Sequence, residues 1–256
     1  MYNKDFFIKG ILVILIVVFV IALSLLIYKQ FNTPKTIKDV VLGSGGSIDN
    51  RVYIKEDNDY IPYVAIKTTN YNEGILLVRE NVLSDPMIYR DENGYGQAGC
   101  YYCDSNIDVF LENEFWNRFS QPMKNIINYT PVVIHSKEYI ANASEASNVY
   151  DIIRRHIFCL SATEYGYSPF SWKDYEGIAI PELKYITSQY EIWTRSHTMG
   201  DDIYVNTVIG LGINNSKITN EAYIRPAFTV PDSIAIIQYS IDGSSCEKIY
   251  VFDINE

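Results

Sequence analysis

Between Ile11 and Ile27 the chain carries no charge and a single polar residue, Ser24, whereas beyond Asn50 apolar and polar residues alternate or recur at helical spacing. At about 1.5 Å per residue the apolar run reaches ~25 Å. Phe6, Phe7 and Ile8 extend it across Lys9, whose ammonium can snorkel to lipid headgroups. Every face of such a helix is apolar, which argues against a place on the surface of a soluble fold. The pattern predicts a transmembrane anchor over residues 6–28 behind a short cytoplasmic tail within residues 1–10. A cleaved signal peptide is the alternative, but the small-x-small sequence it needs, Ala22-Leu23-Ser24, lies inside the run. No cysteine follows the run to carry a lipid. Lys4 and Lys9 precede it and Lys29, Lys35 and Lys38 follow it, so charge alone does not favour export. The shortness of the tail does, and it places the remainder outside the cytoplasm as a single-pass protein of the cell membrane.

Residues 29–50 read as a stalk, with Thr33-Pro34 stopping the helix and Gly43-Ser44-Gly45-Gly46-Ser47 as a flexible spacer. Beyond it, 51–256 is large enough for one hydrophobic core. β-Branched and aromatic residues predict strands over 51–55, 60–68 and 74–79. Ser105-Asn106-Ile107-Asp108 fits an acidic capping box, and Ile107, Phe110, Leu111, Phe115 and Phe119 form a helical stripe. Pro122 opens a second short helix through Ile127. Residues 132–135 read as a strand and 144–153 as a helix. Further strands are predicted over 156–160, 190–195, 202–208, 222–230, 234–240 and 248–254, with Asp242-Gly243 turning a C-terminal hairpin within 232–254. Helices grouped inside a strand-rich chain indicate an α+β fold with a mixed sheet and few short helices.

Composition narrows the partners. The 256 residues hold 21 Lys and Arg against 31 Asp and Glu, a net charge of −10. Residues 1–39 contain five Lys and two Asp, so the acidity belongs to the head. An acidic head repels phosphate backbones, which excludes nucleic acid as a natural partner. Tyrosine is abundant at 22 residues. AT-rich codons account for much of that, and tyrosine also suits binding faces.

The candidate chemistry is sparse. Gly94-Tyr95-Gly96-Gln97-Ala98-Gly99 matches a dinucleotide fingerprint but lacks the strand before it and the helix after it, so no nucleotide is implied. Asp91-x-Asn93-x-Tyr95-Gly96 begins like a calcium loop and fails at its twelfth position, Tyr102. No motif supports calcium or any other cofactor, although Glu182, Glu191 and Asp201 are acids a fold could gather. Cys100-Tyr101-Tyr102-Cys103 is the sharpest local signal. Outside the cell it reads as a local disulfide, with free thiols, a redox pair or a metal site as alternatives. Cys159 sits in an apolar run and reads as buried, and Cys246 has no evident mate. His135, His156 and His197 show no ligand spacing, and no nucleophile elbow is present.

Ile157-Phe158-Cys159-Leu160-Ser161-Ala162-Thr163-Glu164 is followed by Ile192-Trp193-Thr194-Arg195-Ser196, by Tyr204-Val205-Asn206 and by Tyr223-Ile224-Arg225-Pro226-Ala227-Phe228. In this order, with the helix around Leu111-Glu112-Asn113-Glu114-Phe115, they resemble an uncharacterised bacterial domain family with W-x-R-S and G-V-R-P-A motifs. The resemblance covers roughly residues 55–230. That family is similar in pattern to C-type-lectin-like folds, a group that includes formylglycine-generating enzymes and bacterial display proteins. The resemblance implies adjacent core strands for the two motifs and structural roles for Trp193, Arg195 and Arg225. A buried arginine needs a carboxylate, and Glu164 is the candidate. His197 departs from a usual proline and Ile224 from a usual valine. The resemblance supplies no substrate.

Together these features point to a membrane-anchored, extracytoplasmic binding or display domain without catalysis, its ligand a glycan or a protein. Tyr101, Tyr102, Trp172, Tyr175 and Asp201 fall in expected loops and are the candidate contacts. An enzyme of the formylglycine-generating or thiol type using Cys100 and Cys103 is the alternative, as is a structural subunit of a surface assembly.

Overall fold

The computed structural model describes residues 14–24, 35–42, 50–71, 74–91, 99–167, 176–198, 203–240 and 248–254. Two compact units divide at Lys35. In the first, residues 14–24 form helix α1. Its large apolar side chains are exposed along its length, from Ile14 to Leu23, and Ser24 Oγ donates to the Val20 carbonyl within the helix. Among the described residues no helix is long and apolar enough to cross a membrane. The rest of the expected anchor and most of the expected stalk lie outside the described residues.

The second unit is the mixed α+β fold read from the sequence, dominated by sheet. A seven-stranded sheet runs in the order β1-β13-β14-β2-β3-β4-β12. Its members are β1 (Lys35–Thr36), β2 (Arg51–Glu56), β3 (Asp59–Ile66), β4 (Ile75–Arg79), β12 (Ala227–Val230), β13 (Ala235–Ser240) and β14 (Lys248–Phe252). β13 and β14 pair antiparallel, as the expected hairpin requires, and β14 lies parallel to β2. The Asp242-Gly243 turn lies outside the described residues. β5 (Met87–Ile88) pairs with β11 (Glu221–Ala222), and β6 (Thr130–His135) with β7 (Tyr150–Arg155). β8 (Ile192–His197), β9 (Tyr204–Ile209) and β10 (Gly212–Lys217) form a three-stranded meander.

Periodicity explains which strands are central. β2 alternates, turning Val52 and Ile54 into the core. β4 reads Ile-Leu-Leu-Val, and all four side chains are buried because the strand is covered on both faces. Its pairing with β12 begins beside Gly74, whose φ is +98°. A Cβ there would lie 2.0 Å from the Val230 carbonyl oxygen, so only glycine permits this approach.

The short helices are α2 (Ile37–Leu42), α3 (Asn106–Phe110), α4 (Gln121–Ile126) and α5 (Lys137–Ala141). Ser105 caps α3 as expected, accepting from the Asp108 N–H at 3.2 Å. The Asp108 carboxylate takes the Asp104 N–H rather than that of Ser105. The stripe Ile107, Leu111, Phe115, Phe119 recurs every fourth residue. An α-helix of 3.6 residues per turn would carry it off the core. The helix instead widens to a π turn over Leu111–Phe115 and then tightens to a 3₁₀ turn over Trp116–Arg118, keeping all four buried. Ser120 and Pro122 open α4.

The helix expected over 144–153 is a correction. Tyr150–Arg155 is a strand, held by a full antiparallel register against β6, and the helix lies earlier, at α5, where Ser136 caps it. The long expected strand over 222–230 is interrupted at Arg225-Pro226, where proline has no N–H for a ladder.

Candidate functional site

β8 is buried at every position, yet it ends Thr194-Arg195-Ser196-His197. Buried polar groups need partners, and those of β8 organise a network. Arg195 Nη1 donates to Glu164 Oε2 at 2.7 Å, so of the two arginines that the resemblance makes structural, Arg195 is the one that holds this carboxylate. The same guanidinium donates to the carbonyls of Val133, Cys159 and Glu176 at 2.8–2.9 Å. Glu164 also accepts from the Tyr71 hydroxyl at 2.6 Å and the Ser161 N–H at 2.8 Å.

Beside this pair lies a second group that sequence spacing does not show. His135 ends β6 and His197 ends β8, and their rings meet edge to face, 4.5 Å apart. Glu176 reaches both elements. Its Oε1 accepts the His135 backbone N–H at 3.1 Å, and its Oε2 accepts the Ser196 hydroxyl. His135 Nδ1 lies 3.1 Å from Glu176 Oε1 without hydrogen-bond geometry. Burial alone would raise the Glu176 carboxyl, but His135, Arg195 and Ser196 outweigh it and hold it below the ordinary value. Burial and the neighbouring His135 push His197 down to about 4, against the opposing pull of Glu176. All of these side chains are buried.

An open cleft lies elsewhere on the head. It has a volume of about 380 Å³, within the range of small-molecule sites. One wall is the segment 80–84 after β4, the other is 187–190 before β8, and Tyr223 and Arg225 lie between β11 and β12. Each part is tied down. Arg79 Nε donates to Glu56 at 2.9 Å, while its Nη1 donates to the carbonyls of Asn81 and Val82 at 2.7 and 2.9 Å. The Leu83 N–H donates to the Ile224 carbonyl, the Gly210 N–H to that of Ser188, and the Trp193 N–H to that of Tyr223. Tyr190 and Tyr223 pack ring against ring, centroids 4.5 Å apart, with Tyr190 exposed. Asn81, Ser84, Thr187, Ser188 and Gln189 supply amides and hydroxyls. A pinned aromatic step bordered by such groups can hold a polar molecule without reorganising.

Cys103 and Cys159 carry free thiols, so the local Cys100–Cys103 disulfide is absent. Burial raises the Cys103 thiol in spite of Arg155 beside it, and pushes Cys159 up to about 12. Both directions oppose a thiolate nucleophile. Cys103, Asp104 and Asp108 bring three ligand-type atoms together, but the Arg155 guanidinium already occupies the space. It donates twice to Asp108 at 2.7 Å and once to Cys103 Sγ at 3.2 Å. Cys246 lies outside the described residues.

Of the expected contact residues, two are described. Tyr101 and Tyr102 are buried rather than looped out, Tyr101 donating to Asp151 and Tyr102 accepting the Cys159 N–H. Trp172, Tyr175 and Asp201 lie outside the described residues. Glu191, one of the calcium candidates, is engaged by Thr207 and Asn214. Trp193 is core, its indole N–H donating to the Met87 carbonyl. The W-x-R-S and R-P-A segments are neighbours, bridged at Ile192 and Tyr223. His156 lies apart, against Glu112 and between Trp116 and Tyr129. The cleft residues Tyr190 and Tyr223 were missed, although Tyr190 stands three residues ahead of Trp193 and Tyr223 two ahead of Arg225.

Residues 72–232 match the model of a domain of unknown function, DUF6273. No curated protein and no solved structure matches the chain.

Proposed function

The chain belongs to the DUF6273 family, and on that premise we propose that it is a membrane-tethered, extracytoplasmic binding domain of C-type-lectin-like architecture that takes a glycan in the Tyr190–Tyr223 cleft. The observation that carries this reading is the cleft itself. Its segments are fixed by backbone hydrogen bonds, its aromatic pair is exposed on one side, and its border is hydroxyl and amide. Sugars present an apolar face flanked by hydroxyls, which is the complement of that surface. All the cleft residues fall within the family match.

The test is binding of the full chain, in detergent micelles, to a panel of bacterial and host glycans with and without calcium. Saturable binding is expected, and Tyr190→Ala should weaken it about three- to tenfold, the worth of one aromatic contact. A folded chain that binds no saccharide would sink the proposal.

The tether rests on α1, which leaves a run of large apolar side chains uncovered in an otherwise well-buried protein. Its one described polar side chain, Ser24, satisfies itself within the helix, as an apolar solvent demands. The full chain should stay with membranes under alkaline extraction, and a chain lacking residues 1–28 should be released. Release of both would remove the tether from the account.

A further inference from the structure

Two arginines are buried among the described residues, Arg195 and Arg225, each 3 % exposed. They are treated differently by the fold. Arg195 has the Glu164 carboxylate and three carbonyls. Arg225 has no carboxylate among the described residues. Its Nη2 donates to the Glu80 carbonyl at a long 3.3 Å, its side chain meets the Tyr165 hydroxyl, and its Nε has no partner. The acidic residue of the cleft lining, Glu80, pairs its carboxylate with Arg51, which donates to both of its oxygens. A buried guanidinium without a counter-charge is costly, and such charges are normally paired. Arg225 borders the cleft, so the missing anion has a place to arrive from.

Resting on the cleft as the binding site, we infer that its ligand is an acidic sugar, whose carboxylate supplies the counter-charge of Arg225. A planar guanidinium matches a carboxylate with two parallel hydrogen bonds, which a neutral hydroxymethyl group cannot form. The remaining lining favours a saccharide over other acids. Ser188, Gln189 and Asn81 offer hydroxyl and amide partners, and Tyr190 and Tyr223 offer a ring face. Among the described residues the cleft lining holds no second cation that a phosphate or a polyanion would call for.

The experiment compares three probes on the full chain in detergent: a uronic-acid oligosaccharide, the same oligosaccharide with hydroxymethyl in place of carboxylate, and a short peptide with a free C-terminal carboxylate. The uronate should bind at least about tenfold more tightly than its neutral twin, as expected for a charge-assisted pair. Arg225→Gln should erase that preference, Arg225→Lys should keep part of it, and Tyr190→Ala should weaken both sugars alike. The wild-type comparison stands even where a variant fails to fold. Equal binding of the two sugars would overturn the acidic ligand and leave the cleft reading intact. Binding of the peptide alone would overturn both, and binding of none of the three would overturn the acidic sugar, while the glycan panel decides the cleft.

Discussion

Arg195→Met should destabilise the head by about 3–5 kcal/mol, the cost of breaking one partner out of a buried ion pair. The side chain removed makes four hydrogen bonds and balances Glu164, which is fully buried. Tyr71 and Ser161 would still donate to the stranded carboxylate, but no cation would remain against it. Domains of this size are stable by roughly 5–15 kcal/mol, so the variant sits near the threshold of folding. Adding Glu164→Gln to Arg195→Met should recover part of the loss, because the charge left unpaired is then gone. Chemical denaturation of the single and double variants reads both effects. A loss below about 1 kcal/mol for Arg195→Met would mean that the pair is not what fixes β8 against the 161–164 segment.

Acid should destabilise the head through His197. Its value falls from 6.5 to about 4 on folding. Above pH 6.5 the imidazole is neutral folded and unfolded, and contributes nothing. Between 6.5 and about 4 the unfolded chain binds a proton that the folded chain refuses, so stability falls as pH falls, and the loss levels off below about 4. The full effect is of the order of 3 kcal/mol. Glu176 acts in the same direction at lower pH. Its folded carboxyl is held below the ordinary value of 4.5, so the stability it contributes is present above that value and is lost as pH drops through the folded one. Denaturation midpoints followed from pH 7.5 to 4 should therefore decline in the wild type and decline much less in His197→Leu. A ring titration of His197 by NMR gives the same answer without a variant, and a midpoint near 6.5 would refute the mechanism.

Most of the β-architecture was legible because strand signals are local. The alternation in Arg51–Glu56, the apolar run at Ile75–Val78 and the C-terminal hairpin depend on side chains a few positions apart. The family resemblance singled out Glu164 as the carboxylate for a buried arginine but left open whether Arg195 or Arg225 takes it, and only the packing of β8 against the 161–164 segment decides for Arg195. Elsewhere tertiary contacts overruled local preference. Tyr150–Arg155 became a strand because β6 supplies a complete ladder, which no periodicity within the segment announces. Gly212–Lys217 reads Gly-Ile-Asn-Asn-Ser-Lys and looks like a loop, because an outer strand of the meander needs no apolar face. The His135–Glu176–His197 group brings His135 to Glu176, 41 positions on, and to His197 on another strand, and only the packing of β6 near β8 assembles it. The cleft was hidden for the same reason, as its three segments come from distant parts of the chain. Tyr101 and Tyr102 misled by composition: adjacent tyrosines in a glycine- and cysteine-flanked stretch resemble a surface loop, but both rings turn inward.

Hydrogen–deuterium exchange on the full chain, with and without the uronic-acid oligosaccharide, addresses the binding cleft most directly. Protection is expected in 80–84, 187–190 and 223–225, with little change over 99–108. Protection confined to 99–108 or to other surfaces, with those three segments unaffected, would contradict the assignment of the cleft as the site of recognition.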